Sequence, residues 1–144
     1  MLPASRLIIE EVHRRLAELG YEHLRPAHGF AFQSIASRGG ATGVELEDHL
    51  GVTRQAAGQM VYELEWLGYV VRQPDPTDAR LRRVLLTDRG RDVLALTAEL
   101  WSVHERDWER LIGAPGIAAL RSGLGTFIDD RSGFDGPSRL RPTW

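Results

Sequence analysis

The sequence predicts a mainly α-helical fold of the α+β class, with one β-hairpin set among helices. Three observations predict it. Apolar residues recur at helical spacing through most of the 144 residues. Residues 42–67 hold a short helix, a turn containing Gly51 and a longer helix. Two segments rich in β-formers, 69–73 and 82–86, then flank the polar turn Pro74-Asp-Pro-Thr-Asp78.

Composition narrows the class. A chain with 42% hydrophobic and 26% charged residues is of the soluble globular kind and long enough for one core with extensions. No apolar run approaches the roughly 18 residues a membrane span needs. The start, Met-Leu-Pro-Ala-Ser-Arg, lacks the apolar stretch of a signal peptide. A cytoplasmic location is therefore expected. Cysteine is absent, which excludes disulfides and thiolate chemistry. Net charge is −2, and all 18 basic residues are Arg. Six of them (Arg72, Arg80, Arg82, Arg83, Arg89, Arg91) crowd a stretch of twenty residues that holds three acids, a local basic patch on a mildly acidic chain.

Taken in order, residues 5–20 read as a helix capped by Ser5. Its stripe is Ile8, Ile9, Val12, Leu16 and Leu19, and Gly20 ends it. Such a stripe must be buried against the rest of the chain or a second subunit. A second helix follows Leu24-Arg-Pro-Ala-His28, with Pro26 in its first turn and Phe30, Phe32 and Ile35 buried. Gly39-Gly40 breaks the chain. Thr42-Gly-Val-Glu45 is a capping box, since Thr42 can accept the N3 amide while Glu45 reaches back. The helix it opens turns Val44, Leu46 and Leu50 inward. Thr53 caps the next helix, which Gly68 stops.

At about 100° per residue this helix has two faces. Ala57, Met60, Val61, Leu64 and Leu67 face a core. Gln55, Gln59, Tyr62 and Trp66 face away, with Arg54 on the flank. Two helices joined by a tight Gly turn constitute a helix-turn-helix, and the hairpin after them is a wing. Thr87-Asp-Arg-Gly90 then caps a long helix with Asp88 in its first turn. Its apolar residues (Val93, Leu94, Leu96, Leu100, Trp101, Val103, Trp108, Leu111, Ile112) span an arc too wide for one neighbour, so a partner subunit is expected. Gly113-Ala-Pro-Gly116 is a break. Ile117, Leu120, Leu124, Phe127 and Ile128 make a last helix up to Asp129-Asp130. Residues 132–144 read as a poorly ordered tail.

The exposed face of residues 53–66 carries chemistry suited to a DNA groove. Arg54, Gln55 and Gln59 are candidates for base edges, because Arg pairs bidentately with guanine and Gln with adenine, and Ala56 suits a thymine methyl. Thr53 and Arg72 are candidates for phosphate contacts. Arg80 is placed to enter a minor groove from the wing, with Arg82 supporting it. An ordinary amphipathic surface helix and a solvated basic face are the plainer readings of the same residues.

An enzyme is disfavoured. The five His show no metal-ligand spacing, and there is no Gly-rich phosphate loop and no G-x-S-x-G elbow. No metal and no cofactor are expected. A winged helix used for protein contacts remains the alternative, which the steep salt dependence of phosphate contacts would separate.

Residues 42–90 resemble the MarR family of winged helix-turn-helix transcriptional regulators. The marks are Leu50-Gly-Val-Thr53, the run Leu64-Glu-Trp-Leu-Gly-Tyr-Val-Val-Arg72, the wing motif Asp75-Pro-Thr-Asp-Ala-Arg80 and Val84-Leu-Leu-Thr-Asp-Arg-Gly90. Leu24-Arg-Pro-Ala-His28 is similar to a subgroup of that family. The resemblance implies one unit: dimerisation helices over 1–24 and 110–131, a winged helix-turn-helix over 25–90 and a connecting helix over 91–112. It implies a homodimer on double-stranded palindromic DNA, often a repressor released by a small aromatic or lipophilic effector. It also implies that Asp78 orients Arg80. An effector would lie near His28, Phe32, Trp101 and Trp108, residues that are otherwise simply core. The sequence departs from the family at Glu47, where a small residue is usual, and at Trp66, whose bulk suggests packing on the wing base.

Overall fold

A computed structural model describes residues 2–132. The elements are α1 (Leu2–Glu18), α2 (Pro26–Ser37), β1 (Ala41–Thr42), α3 (Gly43–Leu50), α4 (Arg54–Trp66), β2 (Val70–Pro74), β3 (Arg82–Leu86) and α5 (Asp88–Ser132). The strands form one antiparallel sheet in the order β1-β3-β2. Val70 pairs with Leu86 and Pro74 with Arg82, so the hairpin runs straight to its turn, and Ala41 adds to the other edge opposite Val84. The tail read at 132–144 lies, apart from Ser132, outside the described residues.

Local rules place most of these boundaries. Thr42 accepts the Glu45 amide at 3.3 Å while Glu45 accepts the Thr42 amide at 2.7 Å, which starts α3. Gly51 closes α3 in the left-handed region at φ 62, where a side chain is strained. Thr53 then accepts the Ala56 amide at 3.2 Å and starts α4. The break expected at Gly113 is real. Its φ of 74 and ψ of 162 interrupt α5, and Pro115 follows, so the helix has an arm over 88–112 and another over 114–132.

Two apolar clusters hold the elements together. The larger unites α2, α3, α4, the sheet and the start of α5 around Phe32, Ile35, Leu46, Leu50, Leu64, Tyr69, Val84 and Val93. The Phe32 and Tyr69 rings meet at 5.7 Å in a tilted pair. The smaller joins Ile8, Val12 and Leu16 of α1 to Leu96, Leu100 and Trp108 of α5. Arg89 ties the two together, its guanidinium lying 5.2 Å over Tyr21 and 5.0 Å over Tyr69 and donating to the Gly20 carbonyl at 2.9 Å.

Four expectations are corrected. Helix α1 starts at Leu2, so Ser5 lies within it rather than capping it, and Leu19, beyond its end, is exposed. Val44 is also exposed. The Thr42 cap sets the phase of α3 so that Leu46 and Leu50, four apart, take the inner face. Strand β1 was not expected, because two residues carry no periodicity. Trp66 does not pack on the wing base. It is 78% exposed, since its position on α4 falls opposite Leu64 and Val61.

Candidate nucleic-acid interface

Helix α4 is anchored by Ala57, Val61 and Leu64 and presents Arg54, Gln55, Ala56, Gln59 and Tyr62 to solvent. Thr53 is exposed beside them while its hydroxyl caps the helix. The amides and the methyl named above thus share one open face at the end of a helix whose first-turn amides also point outward. Glu47 leaves the α3–α4 contact close. Its carboxylate lies 3.5 Å from the Arg54 guanidinium on the outer flank, and Ala57 remains buried.

The wing is held by a residue that sequence reasoning passed over. Asp75 is buried and accepts the Thr77 amide at 2.8 Å, the Thr77 hydroxyl at 2.5 Å, the Asp78 amide at 3.3 Å and Arg83 at 2.9 Å. The Thr77 hydroxyl, then the Thr77 amide and Arg83, hold its carboxyl well below the usual carboxylate range. Arg83 continues to the Gly40 carbonyl at 3.1 Å and so fastens the wing to the loop before β1. Asp78 accepts the backbone N–H of Arg80 at 2.9 Å, so it shapes the chain at Arg80 instead of pairing with the guanidinium. An acid two residues before a turn-borne Thr, on a strand end, was the available signal for Asp75, an Asx turn.

The basic patch divides into structural and free arginines. Arg72 is gripped by Glu65 through its amide at 3.3 Å and its Nε at 2.8 Å, which holds Glu65 below its ordinary pKa. Arg83 serves Asp75, Arg89 is stacked on two tyrosines, and Arg91 donates to the Leu86 carbonyl at 2.7 Å and pairs with Asp88. Among the described residues Arg80 and Arg82 have no carboxylate partner. They are the patch's free cations, both exposed on the wing.

A second feature lies between α1, α2 and α5. A cavity of about 180 Å³ is lined by apolar residues including Ile9, Val12, Leu16 and Phe30, with His13, Arg25 and His28 among its polar residues. Phe32 and Trp101 line it too, whereas Trp108 packs away from it on the α1 cluster. His28 is fully buried. Its Nδ1 faces the Arg25 amide at 3.1 Å and its Nε2 faces the Arg25 guanidinium at 3.1 Å. An imidazolium would point both its protons at donors. Burial first, and Arg25 second, push the His28 pKa down to about 4.

A His whose folded pKa is depressed stays neutral when folded while the unfolded chain takes up a proton. Stability therefore falls as pH drops from about 6.5 to about 4, by up to about 3 kcal/mol for His28. Chemical denaturation between pH 7.5 and 5 is expected to show most of that slope vanish in His28→Asn, whose carbonyl can still accept the Arg25 amide. The remaining slope belongs to His13 and His49, both also lowered chiefly by burial. An unchanged slope would remove His28 as its source.

Among the described residues no helix is long and apolar enough to cross a membrane, and no three His, Asp or Glu side chains gather as a metal site. The arrangement of α3, α4 and the β2–β3 hairpin is that of a winged helix-turn-helix protein. Residues 24–81 match the sequence model of the MarR family, so the chain carries a MarR-family winged helix. That family comprises transcriptional regulators and not enzymes. Among solved structures, RV1404 from Mycobacterium tuberculosis is 25% identical with a TM-score of 0.76, over 95% of this chain and 90% of that one. The reduced form of MarR from E. coli is 25% identical, with a TM-score of 0.71, over 86% of this chain and 90% of its own. The transcriptional repressor CouR bound to a 23-mer DNA duplex is 29% identical, with a TM-score of 0.68, over 87% of both chains. Comparison with curated protein sequences gives no match.

Proposed function

We propose that the protein is a homodimeric, effector-responsive repressor that binds double-stranded palindromic DNA through α4 and the wing. The observation that carries the reading is the pairing of an open polar face, Arg54, Gln55, Ala56 and Gln59, with a wing whose free cations are Arg80 and Arg82. The DNA-bound repressor CouR is a relative of the same fold. Each α4 enters a major groove, with half-sites about 10 bp apart or a multiple of that. Arg80 enters the adjoining minor groove. Thr53 and Arg72 set register on phosphates, Arg72 by exchanging Glu65 for a phosphate oxygen.

The dimer reading rests on exposed apolar side chains at both ends of the chain. Leu7 is 67% exposed, Leu111 82% and Phe127 59%, more apolar surface than a monomer ordinarily leaves open. Sedimentation as a monomer at micromolar concentration would sink that part.

The DNA reading is tested by binding-site selection. The wild type is expected to return a palindrome. Gln55→Ala is expected to relax one position in each half-site at a cost of roughly 1–3 kcal/mol, while Arg80→Ala weakens all duplexes with a shallower salt slope. Return of the wild-type motif by Gln55→Ala would count against the base assignment, and salt-insensitive binding would favour a protein-contact module.

A further inference from the structure

The geometry points to Arg25 as the anchor for a small aromatic carboxylate in the α1–α2–α5 cavity, and to the Arg25–Glu63 ion pair as the connection that carries its binding to α4. This inference rests on the reading of the chain as an effector-responsive DNA-binding protein.

Size and charge choose the ligand. A dry cavity of about 150 Å³ admits benzene, and this one, at about 180 Å³, leaves room for one small substituent on a ring. No Asp or Glu lines it. Arg25 is the charged side chain of its lining, beside the imidazoles of His13 and His28. Both imidazoles are neutral at pH 7, being lowered by burial. An anion therefore meets a guanidinium at the end of an apolar slot, while a cation meets no counter-charge. A guanidinium fork matches a carboxylate in two parallel bonds.

The connection comes from what Arg25 holds when the cavity is empty of ligand. Its guanidinium is ion-paired with the Glu63 carboxylate, 38 residues away on α4. Glu63 itself does not line the cavity. It stands one turn after Gln59 on the same helix as the proposed base-reading residues. The pair thus spans from the cavity rim to the DNA-facing element. A ligand carboxylate competes with Glu63 for one guanidinium. Glu63 has no second cation in reach, since His28 at 3.8 Å is held neutral. Releasing it unties α4 from the start of α2. A ligand moves the equilibrium only by its differential affinity for the two arrangements, and the coupling is reciprocal. DNA that holds α4 in the tied arrangement lowers ligand affinity by the same factor.

Benzoate and the uncharged, similarly shaped benzamide are the probes. Calorimetric titration is expected to show benzoate binding at least about tenfold more tightly than benzamide, one charged contact's worth. Arg25→Gln removes the difference. Glu63→Gln, which frees Arg25 from its internal competitor, raises benzoate affinity about fivefold, as for a partly exposed ion pair. On a duplex recovered by binding-site selection, saturating benzoate weakens wild-type binding about tenfold and has no effect on Glu63→Gln. Thermal melts confirm that both variants fold, as the exposure of the two side chains, 59% and 33%, leads one to expect.

Equal affinities, or no heat from either probe, would overturn the anion assignment. Unchanged benzoate affinity in Glu63→Gln, or a benzoate effect on DNA that survives it, would overturn the connection. Failure to recover any duplex sinks the DNA reading, and the titrations, which need no DNA, still decide the cavity and its competition with Glu63.

Discussion

Asp75→Ala is expected to lower affinity for a selected duplex about a hundredfold while the helical content and dimer persist. The carboxylate organises the wing turn by accepting two amides and a hydroxyl, and it fixes Arg83 on the β3 side. Its removal frees the chain that carries Arg80 and Arg82. Two cationic contacts must then be ordered at the moment of binding, at about 1.4 kcal/mol per tenfold. Asp78→Ala removes one bond, to the Arg80 amide, and is expected to cost less. Anisotropy titrations at two salt concentrations check both. Because its carboxyl is held well below the ordinary range, Asp75 is ionised at any pH above about 4, and its contribution is lost only as pH falls through and below that value. The wing is therefore expected to bind alike at pH 7.5 and pH 5, the interval over which His28 weakens the folded state. Full affinity in Asp75→Ala would show that the wing keeps its shape without the knot.

Gly90→Ala is expected to lower the melting temperature by about 10 °C, the effect of roughly 3 kcal/mol in a domain of this size. A Cβ at Gly90 would lie 2.2 Å from the Tyr69 carbonyl oxygen and 3.3 Å from Leu86. That carbonyl is backbone, already accepting the Thr87 amide at 3.0 Å, and it has no room to yield. The first turn of α5 would have to leave the hairpin, taking Arg89 off its two tyrosines. Gly58→Ala is the control. A Cβ there meets nothing within 4 Å, so replacing glycine inside α4 is expected to stabilise by about 0.5–1 kcal/mol. Equal melting temperatures for the two variants would mean that the Gly90 contact relaxes. The conserved-looking Leu-Thr-x-x-Gly ending of the winged region thus has a steric cause in this chain: Thr87 bonds the Gly68 carbonyl and the Gly90 amide at 2.7 and 3.2 Å, which brings residue 90 against Tyr69.

The sequence by itself determined the elements whose signals are local. Capping at Thr42 and Thr53, the left-handed stop at Gly51, the strand at 82–86 and the break at Gly113 each depend on a few adjacent residues, and each lies where the sequence puts it. The open face of α4 was legible for the same reason, since a helical wheel needs only the period. Tertiary structure decided what each charge does. Arg72, Arg83, Arg89 and Arg91 read alike beside Arg80 and Arg82, yet four are consumed by Glu65, Asp75, two tyrosines and Asp88. Those partners are brought near by helix and strand packing, which no local pattern encodes. The same holds for β1, which exists only as the third strand beside β3, and for the choice of Asp75 over Asp78 as the wing's anchor. It holds above all for Arg25 and Glu63, 38 residues apart, which meet because α2 and α4 pack on one core. Hydrophobic period and capping act over one or two turns. Ion pairs and cavities are set by distances through space, and those appear only once the core has closed.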